Sequence, residues 1–595
     1  VSAAFPEAAY EAAVATYTAE AAAHERSAAR LANVRFFVFL FLAAAAVAAY
    51  RGSVLAVAAV AAGIGAFVFL MRRHEAVLAA KCRAEALAAV NAAGLARVRD
   101  AWHGFPDTGA EFAEAAHRYT GDLDVFGPGS LYQFLGGGAS VEGRRALAGL
   151  LAGADLLAAR MAERQAAVRE IGPAVAWRHE VLATARCGRL TEKQPEALID
   201  WSLRTEAPLA RWFDAAAWVA PPLTLALGGA AYFGAAGWGG FTAAVIVQVV
   251  LFLSQAKRSL AEGERIRKAA AVAEGYAPYL AALASRAPAA PALRAPYERV
   301  VSGGRPLGAL AGLNGWLEVQ RIGLVHIVLN ALVLWDAHCL RYARRWRARH
   351  GAAVAGWLAA ATELEGQVVT AALAYEFPAW SFPAAGGAGA MAAESLGHPL
   401  IPAASRVANP VALDHPGRVL IVTGSNMSGK STYMRTVGVN LLLAYLGAPV
   451  CGRGVTVAPV RVYTSMRNVD SLEKRMSSFY AELARIKEVI DAAAGREALL
   501  FLFDEIFRGT NSVDRLAGAR EVLRRLSAAG AAGVVTTHDL ELAALAGEDA
   551  RFQAGHFTER YEGGRIVFDF RFRPGVATSR NAVALMRLVG ILPDA

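Results

Sequence analysis

Charge disappears from this chain in two long stretches, and the first elements that the pattern predicts are helices. Phe36 to Tyr50 holds no Asp, Glu, Lys or Arg, and neither does Ser53 to Met71; only Arg51 and Gly52 lie between them. A bilayer core takes about 20 apolar residues per helix. The second stretch has that length, and the first reaches it if Arg35 snorkels to the interface. Together they predict a helical hairpin over 34–72, with two buried core helices as the alternative. A cleaved leader fits less well, because a second apolar run follows at once. The run Ala215 to Ala256 is also uncharged, and at ~1.5 Å per residue it suffices for two spans. Gly237, Gly239 and Gly240 mark its turn, Trp218 and Trp238 are interface anchors, and Pro221 and Pro222 sit near the helix start, where proline is best tolerated. This predicts a second hairpin over 214–256. A third run, Ile322 to Trp335, has 14 residues and contains His326 and Asn330. Its length predicts a buried helix in a soluble domain. The basic, aromatic segment Arg341 to His350 suits DNA or lipid phosphate, or a solvated helix end.

Toward the C-terminal end the pattern changes to short β-branched runs. Arg418 to Thr423 reads as a buried strand, and a helix-compatible segment runs from Thr432 to about Leu446. Between them stands Gly424-Ser-Asn-Met-Ser-Gly-Lys-Ser431, a GxxxxGK[ST] loop in its required strand–helix context. The candidate phosphate binders are Gly424, Ser425, Asn426, Met427, Ser428, Gly429, Lys430, Ser431 and Thr432. The glycines let backbone N–H groups turn toward phosphate oxygens, Lys430 reaches the β and γ phosphates, and the Ser431 hydroxyl is a Mg²⁺ ligand. Leu499 to Phe503 is a second strand, ending in Asp504-Glu505. Asp504 is the second Mg²⁺ candidate in the Walker B role, and Glu505 is placed to polarise an attacking water. Gly533 to Thr537 is a third strand, followed by His538, a candidate for contact with the γ-phosphate or for orienting the water. With no Asn-Lys-x-Asp motif to read guanine, ATP is the expected nucleotide.

Composition adjusts this picture. The 595 residues are 55% hydrophobic and 19% charged, against roughly 25% charged in ordinary soluble domains. That excludes a disordered chain, and the length allows three to five units. The net charge of +10 suits nucleic acid, nucleotide or an anionic membrane face. Much of it flanks the uncharged runs. Arg26, Arg30 and Arg35 precede the first, and Arg72, Arg73, Lys81 and Arg83 follow it. Arg204 and Arg211 precede the second, and Lys257, Arg258, Arg265, Arg267 and Lys268 follow it. By the positive-inside rule both hairpins dip in from the cytoplasm, which predicts a cell inner-membrane protein with a cytoplasmic ATPase domain. Four scattered cysteines exclude a zinc ribbon and a disulfide scaffold and fit a reducing compartment.

Thr423 to Arg435, Asp504-Glu-Ile-Phe-Arg-Gly-Thr-Asn511 and Val534-Val-Thr-Thr-His-Asp539 resemble the nucleotide motifs of the MutS family of DNA mismatch-repair ATPases. Glu394 to Leu400, Ala408-Asn-Pro410 and Ser579 to Gly590 extend the likeness over 394–595, and Asp122 to Leu131, Gly143 to Leu151 and Arg164 to Glu170 resemble the start of its core and lever. The resemblance implies an ABC-type α/β P-loop NTPase domain over 386–595 and an all-α core and lever over 73–213 and 257–385, after an N-terminal helical segment at 1–33. With the two transmembrane hairpins this is the expected fold. It also implies ATP with Mg²⁺, DNA as substrate, and a homodimer with composite ATP sites. Arg475 to Glu482 aligns with the signature segment, so Ser477 would face the partner's γ-phosphate in trans. Asn426 would touch phosphate, and Arg406 and Val407 take the positions that pack on adenine. The mismatch-reading domain, the clamp and the closing dimer extension have no counterpart in this sequence, so direct mismatch recognition is not expected. An ABC-transporter-like or membrane-remodelling ATPase and a nucleotide-sensing scaffold remain as alternatives.

Overall fold

The computed structural model describes residues 6–205, 211–425, 427–466, 478–495, 498–507, 511–562 and 565–576. The chain divides into two compact units, one made of 1–92, 138–143 and 176–365, the other of 93–137, 144–175 and 366–595.

The first unit is helical. Helix α1 (Pro6–Tyr50) and helix α2 (Val54–Val98) are separated by a tight reversal. Gly52 takes φ +95° there, a left-handed conformation that glycine adopts without the steric cost of a Cβ. The apolar halves of both helices stay open: Phe36, Phe37, Phe39 and Phe41 on α1 and Val54, Leu55 and Phe69 on α2 are all exposed. Their polar halves are tied down. Tyr10 stacks on His179 at 5.7 Å, and Arg83 forks onto Glu180 at 2.7 and 2.6 Å.

Helix α3 (Arg211–Tyr232) and helix α4 (Trp238–Ala284) form a second antiparallel pair, followed by α5 (Pro291–Glu318), α6 (Gly323–Val333) and α7 (Trp335–His350). The later half of α4 has an ordinary core face. Ile266, Ala269, Ala273, Tyr276 and Leu280 are buried there, as are Val300, Leu307 and Leu310 of α5. A small residue lets α5 approach α4 closely: a Cβ on Gly303 would come within 3.0 Å of Leu280 Cδ2. Glu365 is a buried carboxylate in this unit. It accepts from Ala139 N (2.6 Å), Ser140 N (3.1 Å), Ser140 Oγ (2.6 Å) and Tyr279 Oη (2.7 Å). Burial raises its pKa, and these hydrogen bonds oppose the rise.

Among the described residues three helices are long and apolar enough to cross a membrane, α1, α2 and α4, or four if α5 and α6 count as one broken span. The third apolar run does not form the buried helix that its length predicts. In α6 the polar residues His326 and Asn330 are buried, whereas Leu324, Val325, Ile327 and Val328 are exposed. The helix is turned inside out, with its polar residues packed inward and its apolar residues facing outward.

The second unit carries the sheets. Its main sheet has the order β13-β10-β4-β9-β8-β7: β4 (Val419–Thr423), β7 (Arg461–Ser465), β8 (Leu499–Asp504), β9 (Ala532–Thr537), β10 (Phe552–His556) and β13 (Arg573–Pro574). All neighbours are parallel except β13, which runs antiparallel to β10. A smaller sheet joins β1 (Ala384–Ala385), β2 (Met391–Leu396), β3 (Asn409–Leu413), β5 (Gly452–Arg453) and β6 (Thr456–Val457). The strands β11 (Glu559–Glu562) and β12 (Arg565–Phe568) pair as a hairpin. Every residue of β4 and β9 is buried, as expected of strands covered on both faces. Helix α8 (Lys430–Tyr445) follows β4 and is buried nearly all round from Tyr433 onward, so its conformation is held by core packing. Helices α9 (Ser478–Ala494) and α10 (Ser512–Ala528) complete the set used below. The edge strand β7 is covered by the segment around Arg118, whose carbonyl accepts from Thr464 N at 2.9 Å and so protects the open edge.

Candidate functional site

Parallel α/β sheets place ligands at the C-terminal ends of their strands, and the candidate residues meet there. Thr423, the last residue of β4, is fully buried. The loop then turns sharply through Gly424 at φ +142°, Met427 at +68° and Gly429 at +107°. At Gly424 a side chain has no room: a Cβ would lie 2.7 Å from Phe557 O and 2.9 Å from Ser428 Oγ. Met427 pays the left-handed strain with its side chain 84% exposed. Ser428 Oγ donates to Ser425 O at 2.8 Å, and Ser425 Oγ donates to Glu559 Oε2 at 2.8 Å. Lys430 is buried, and its Nζ donates to Gly424 O (2.7 Å) and Ser425 O (2.8 Å). The ammonium thus sits inside the loop, where phosphate oxygens would compete for it. Gly429 caps α8 without a side-chain hydrogen bond, so the first N–H groups of the helix are not occupied by a capping side chain. Thr432 is exposed on the first turn.

The second cluster forms on Asp504. Ser431 Oγ donates to Asp504 Oδ2 at 2.8 Å, and Thr536 Oγ1 donates to Asp504 Oδ1. Sheet register explains the second contact, since Asp504 stands directly opposite Thr536 across β8 and β9. A hydroxyl and a carboxylate side by side are hard oxygen donors of the kind that Mg²⁺ takes, so the residues fit that ion. Next along the chain, Glu505 is held at φ +55°. Its N–H donates to Thr536 O at 3.1 Å, and its Oε1 lies 2.7 Å from His538 Nε2. Phe507 also has positive φ, +63°, and its N–H donates to Glu482 Oε1 at 2.5 Å. Two bulky residues in left-handed backbone within one turn cost on the order of 1–3 kcal/mol each. The surrounding hydrogen bonds hold the turn in this form.

Lys430, Ser431, Asp504, Glu505 and His538 therefore gather at adjoining strand ends. Asn426 and Ser477 lie outside the described residues. Val407 is half-buried just before β3. Its neighbour Arg406 is already engaged, donating through Nε and Nη2 to Ile401 O (2.9 and 2.5 Å), through Nη2 to Pro399 O (3.2 Å) and through Nη1 to Cys451 Sγ (3.1 Å), with its guanidinium 5.9 Å from the Trp380 ring centroid. Two participants escaped sequence reasoning. Thr536 read as a strand former, and only register brings its hydroxyl to Asp504. Glu559, the partner of Ser425, carries no local motif.

Residues 420–594 match the family model for MutS domain V, which is a P-loop ATPase domain. The match begins inside β4 and runs through the phosphate loop, Asp504, Glu505 and His538.

Proposed function

Because the chain belongs to the MutS family, we propose that it is a membrane-anchored MutS-type motor that binds and hydrolyses ATP with Mg²⁺ and acts on DNA as a homodimer. One observation carries the reading above all: Ser431, Asp504, Thr536, Glu505 and His538 converge beside the start of α8. In this reading the N–H groups of 424–432 and the Lys430 ammonium bind the β and γ phosphates. Ser431 and Asp504 hold Mg²⁺, which when bound neutralises charge on the phosphate oxygens. Glu505 orients the attacking water and accepts its proton, and His538 fixes the Glu505 carboxylate through the 2.7 Å contact. Ser477 completes the partner's site in trans, and Val407 lies toward the adenine.

The wider assignments are part of the same proposal. Family members act as dimers on DNA, and the net charge of +10 suits a polyanion. Hairpins at 34–72 and 214–256 anchor the chain in the inner membrane. Their support is the exposed apolar surface of α1, α2 and α4, since patches of that extent mark membrane or partner contact. The proposal keeps the domain order read from the sequence, core and lever at 73–213 and 257–385 and the ATPase domain from 386, with 93–137, 144–175 and 366–385 packed in the same unit as the ATPase segment. The test is Glu505→Gln. It should abolish turnover in the detergent-solubilised protein while ATP still binds, and turnover at the wild-type rate would remove Glu505 as the base. Salt-dependent binding to matched, mismatched and branched DNA tests the substrate, and no binding at low salt would leave the ATPase without its DNA role.

A further inference from the structure

We propose that α6 re-enters the bilayer, dipping into one leaflet and returning to the side it came from. The chain then has a third membrane element, which sequence length disguised as a core helix. This rests on the reading of the α3–α4 hairpin as membrane-embedded.

The first support is the inverted pattern. Ile322, Leu324, Val325, Ile327 and Val328 face outward at 43–78% exposure, while His326 and Asn330, four residues apart on the other face, are 6% and 1% exposed. Helices packed in lipid turn their polar residues toward one another, because hydrocarbon cannot satisfy them.

The second support is continuity. Helix α6 packs on α3 and α4. Those helices show the same inversion, with Leu223, Leu225, Val247 and Val250 exposed and Thr224 and Gln248 fully buried. Gln248 Nε2 donates to Thr224 Oγ1 on α3 and to Leu332 O on α6 at 3.3 Å. Three helices thus share one polar seam and one apolar exterior.

The third support is the path of the chain. Helices α5 and α6 meet at 108°, and Leu334 closes the far end in left-handed backbone at φ +46°. Trp316, before the excursion, and Trp335, after it, lie with ring centroids 6.1 Å apart, and Trp335 Nε1 donates to Trp316 O at 3.0 Å. Entry and exit are therefore adjacent. An 11-residue helix spans only about 16 Å, roughly half of a hydrocarbon core of about 30 Å.

The fourth support is charge and aromatic content at that entry point. Tyr342 packs on Trp316 at 5.7 Å, the Arg321 side chain is 67% exposed and pairs with Glu318 at 3.4 Å, and behind them the buried Arg341 guanidinium lies 4.8 Å from the Trp218 ring centroid. Such a belt suits the headgroup layer of an anionic leaflet. Behind it His326, Asp336 and Asn330 are matched, whereas Gln248 Oε1 has no hydrogen-bond partner among the described residues. His326 Nε2 is 3.0 Å from both Asp336 carboxylate oxygens, and Asp336 also accepts from Ser259 Oγ and Gln320 Nε2, each at 3.1 Å. Asn330 Oδ1 accepts from Asp336 N at 3.1 Å.

The test uses the full chain with Cys82 and Cys187 replaced by serine, reconstituted in phosphatidylcholine–phosphatidylglycerol vesicles. Bimane is attached to Ile327→Cys, Val250→Cys or Val513→Cys, with the parent lacking an added cysteine as background. Nitroxide-labelled lipid should quench the fluorophore at 327 and 250 and leave 513 unchanged. Quenching at 250 without quenching at 327 overturns the proposal and leaves the hairpin standing. Loss of quenching at both overturns the hairpin as well. A membrane-impermeant maleimide should label Arg321→Cys and Arg345→Cys from the same side, and labelling from opposite sides would make the segment a span and overturn re-entry.

Discussion

Replacing Thr536 with valine removes one hydroxyl and keeps the shape of the side chain. Thr536 is fully buried, and its Oγ1 donates to Asp504 Oδ1 while Ser431 holds Oδ2. Among the described contacts, these two hydroxyls fix the Asp504 carboxylate from both sides. A hydrogen bond to an ionised group contributes about 1.5–3 kcal/mol, and about 1.4 kcal/mol is tenfold in an equilibrium constant. Ser431 still holds the other oxygen, so the smaller figure applies. Thr536→Val should therefore raise the Mg²⁺ concentration for half-maximal ATP turnover by about tenfold. Nucleotide binding measured in EDTA should not change, because the phosphate loop is untouched. The assay is a Mg²⁺ titration of steady-state hydrolysis at saturating ATP, with fluorescent nucleotide binding as the control. A wild-type Mg²⁺ midpoint in a folded Thr536→Val protein would refute the reasoning, and so would equal losses in both assays.

Three further outcomes follow from the second unit. Gly424→Ala places a Cβ 2.7 Å from Phe557 O at φ +142°, and backbone strain of about 1–3 kcal/mol should weaken nucleotide binding roughly 10- to 100-fold in equilibrium titrations. Burial, reinforced by Arg435 and Arg406, pulls the His398 imidazole down to about 4, against the opposing pull of Asp124. Below its ordinary value of about 6.5 the unfolded chain therefore takes up a proton that the folded chain refuses. Stability should fall as pH drops from 6.5 toward 4, by up to about 3 kcal/mol, seen as faster limited proteolysis at pH 5 than at pH 7.5; His398→Asn should flatten this dependence, and an unchanged one would count against it. The Arg97–Glu376 fork, at 2.6 Å in both arms, is buried, so Glu376→Ala should cost about 3–5 kcal/mol and lower the urea midpoint for loss of nucleotide binding, whereas an unchanged midpoint would show the pair to be dispensable.

The strands at 419–423, 499–504 and 532–537 were legible because buried parallel strands read as unbroken apolar runs. The phosphate loop was legible for a related reason, since Gly424 and Gly429 stand where the backbone has positive φ. What escaped depends on pairing across the sheet or on three-dimensional neighbours. Thr536 acquires its partner only through the β8–β9 register. Nothing local announces that Met427, Glu505 and Phe507 adopt left-handed backbone. Arg406 could be placed near the nucleotide by alignment, but its donors are directed to Pro399 and Ile401. For helix α6, a run of 14 residues does not by itself distinguish a core helix from one whose apolar side faces outward. The spacing of His326 and Asn330 held the better signal, a polar stripe on an otherwise apolar helix.

The second unit is assembled from three separate stretches of chain, and that has a consequence for biogenesis. Its core buries Trp102, Tyr119, Leu123, Leu131 and Phe134 with Val437, Leu441 and Leu502, and Asp122 accepts from Thr464 across 342 positions. The early stretch therefore emerges from the ribosome long before the strands that cover it. At about 5–20 residues per second, the interval between residue 137 and the first strand at 384 lasts on the order of ten to fifty seconds. During that time the uncharged run at 215–256 is also synthesised, and under the proposed anchoring it is then that it enters the bilayer. The nascent aromatic cluster meanwhile lacks the strands that bury it, so under the proposed anchoring insertion and ATPase folding compete for the same unfinished chain. Under that proposal a delay in synthesis between these stretches would first appear as a misfolded nucleotide domain on an inserted anchor.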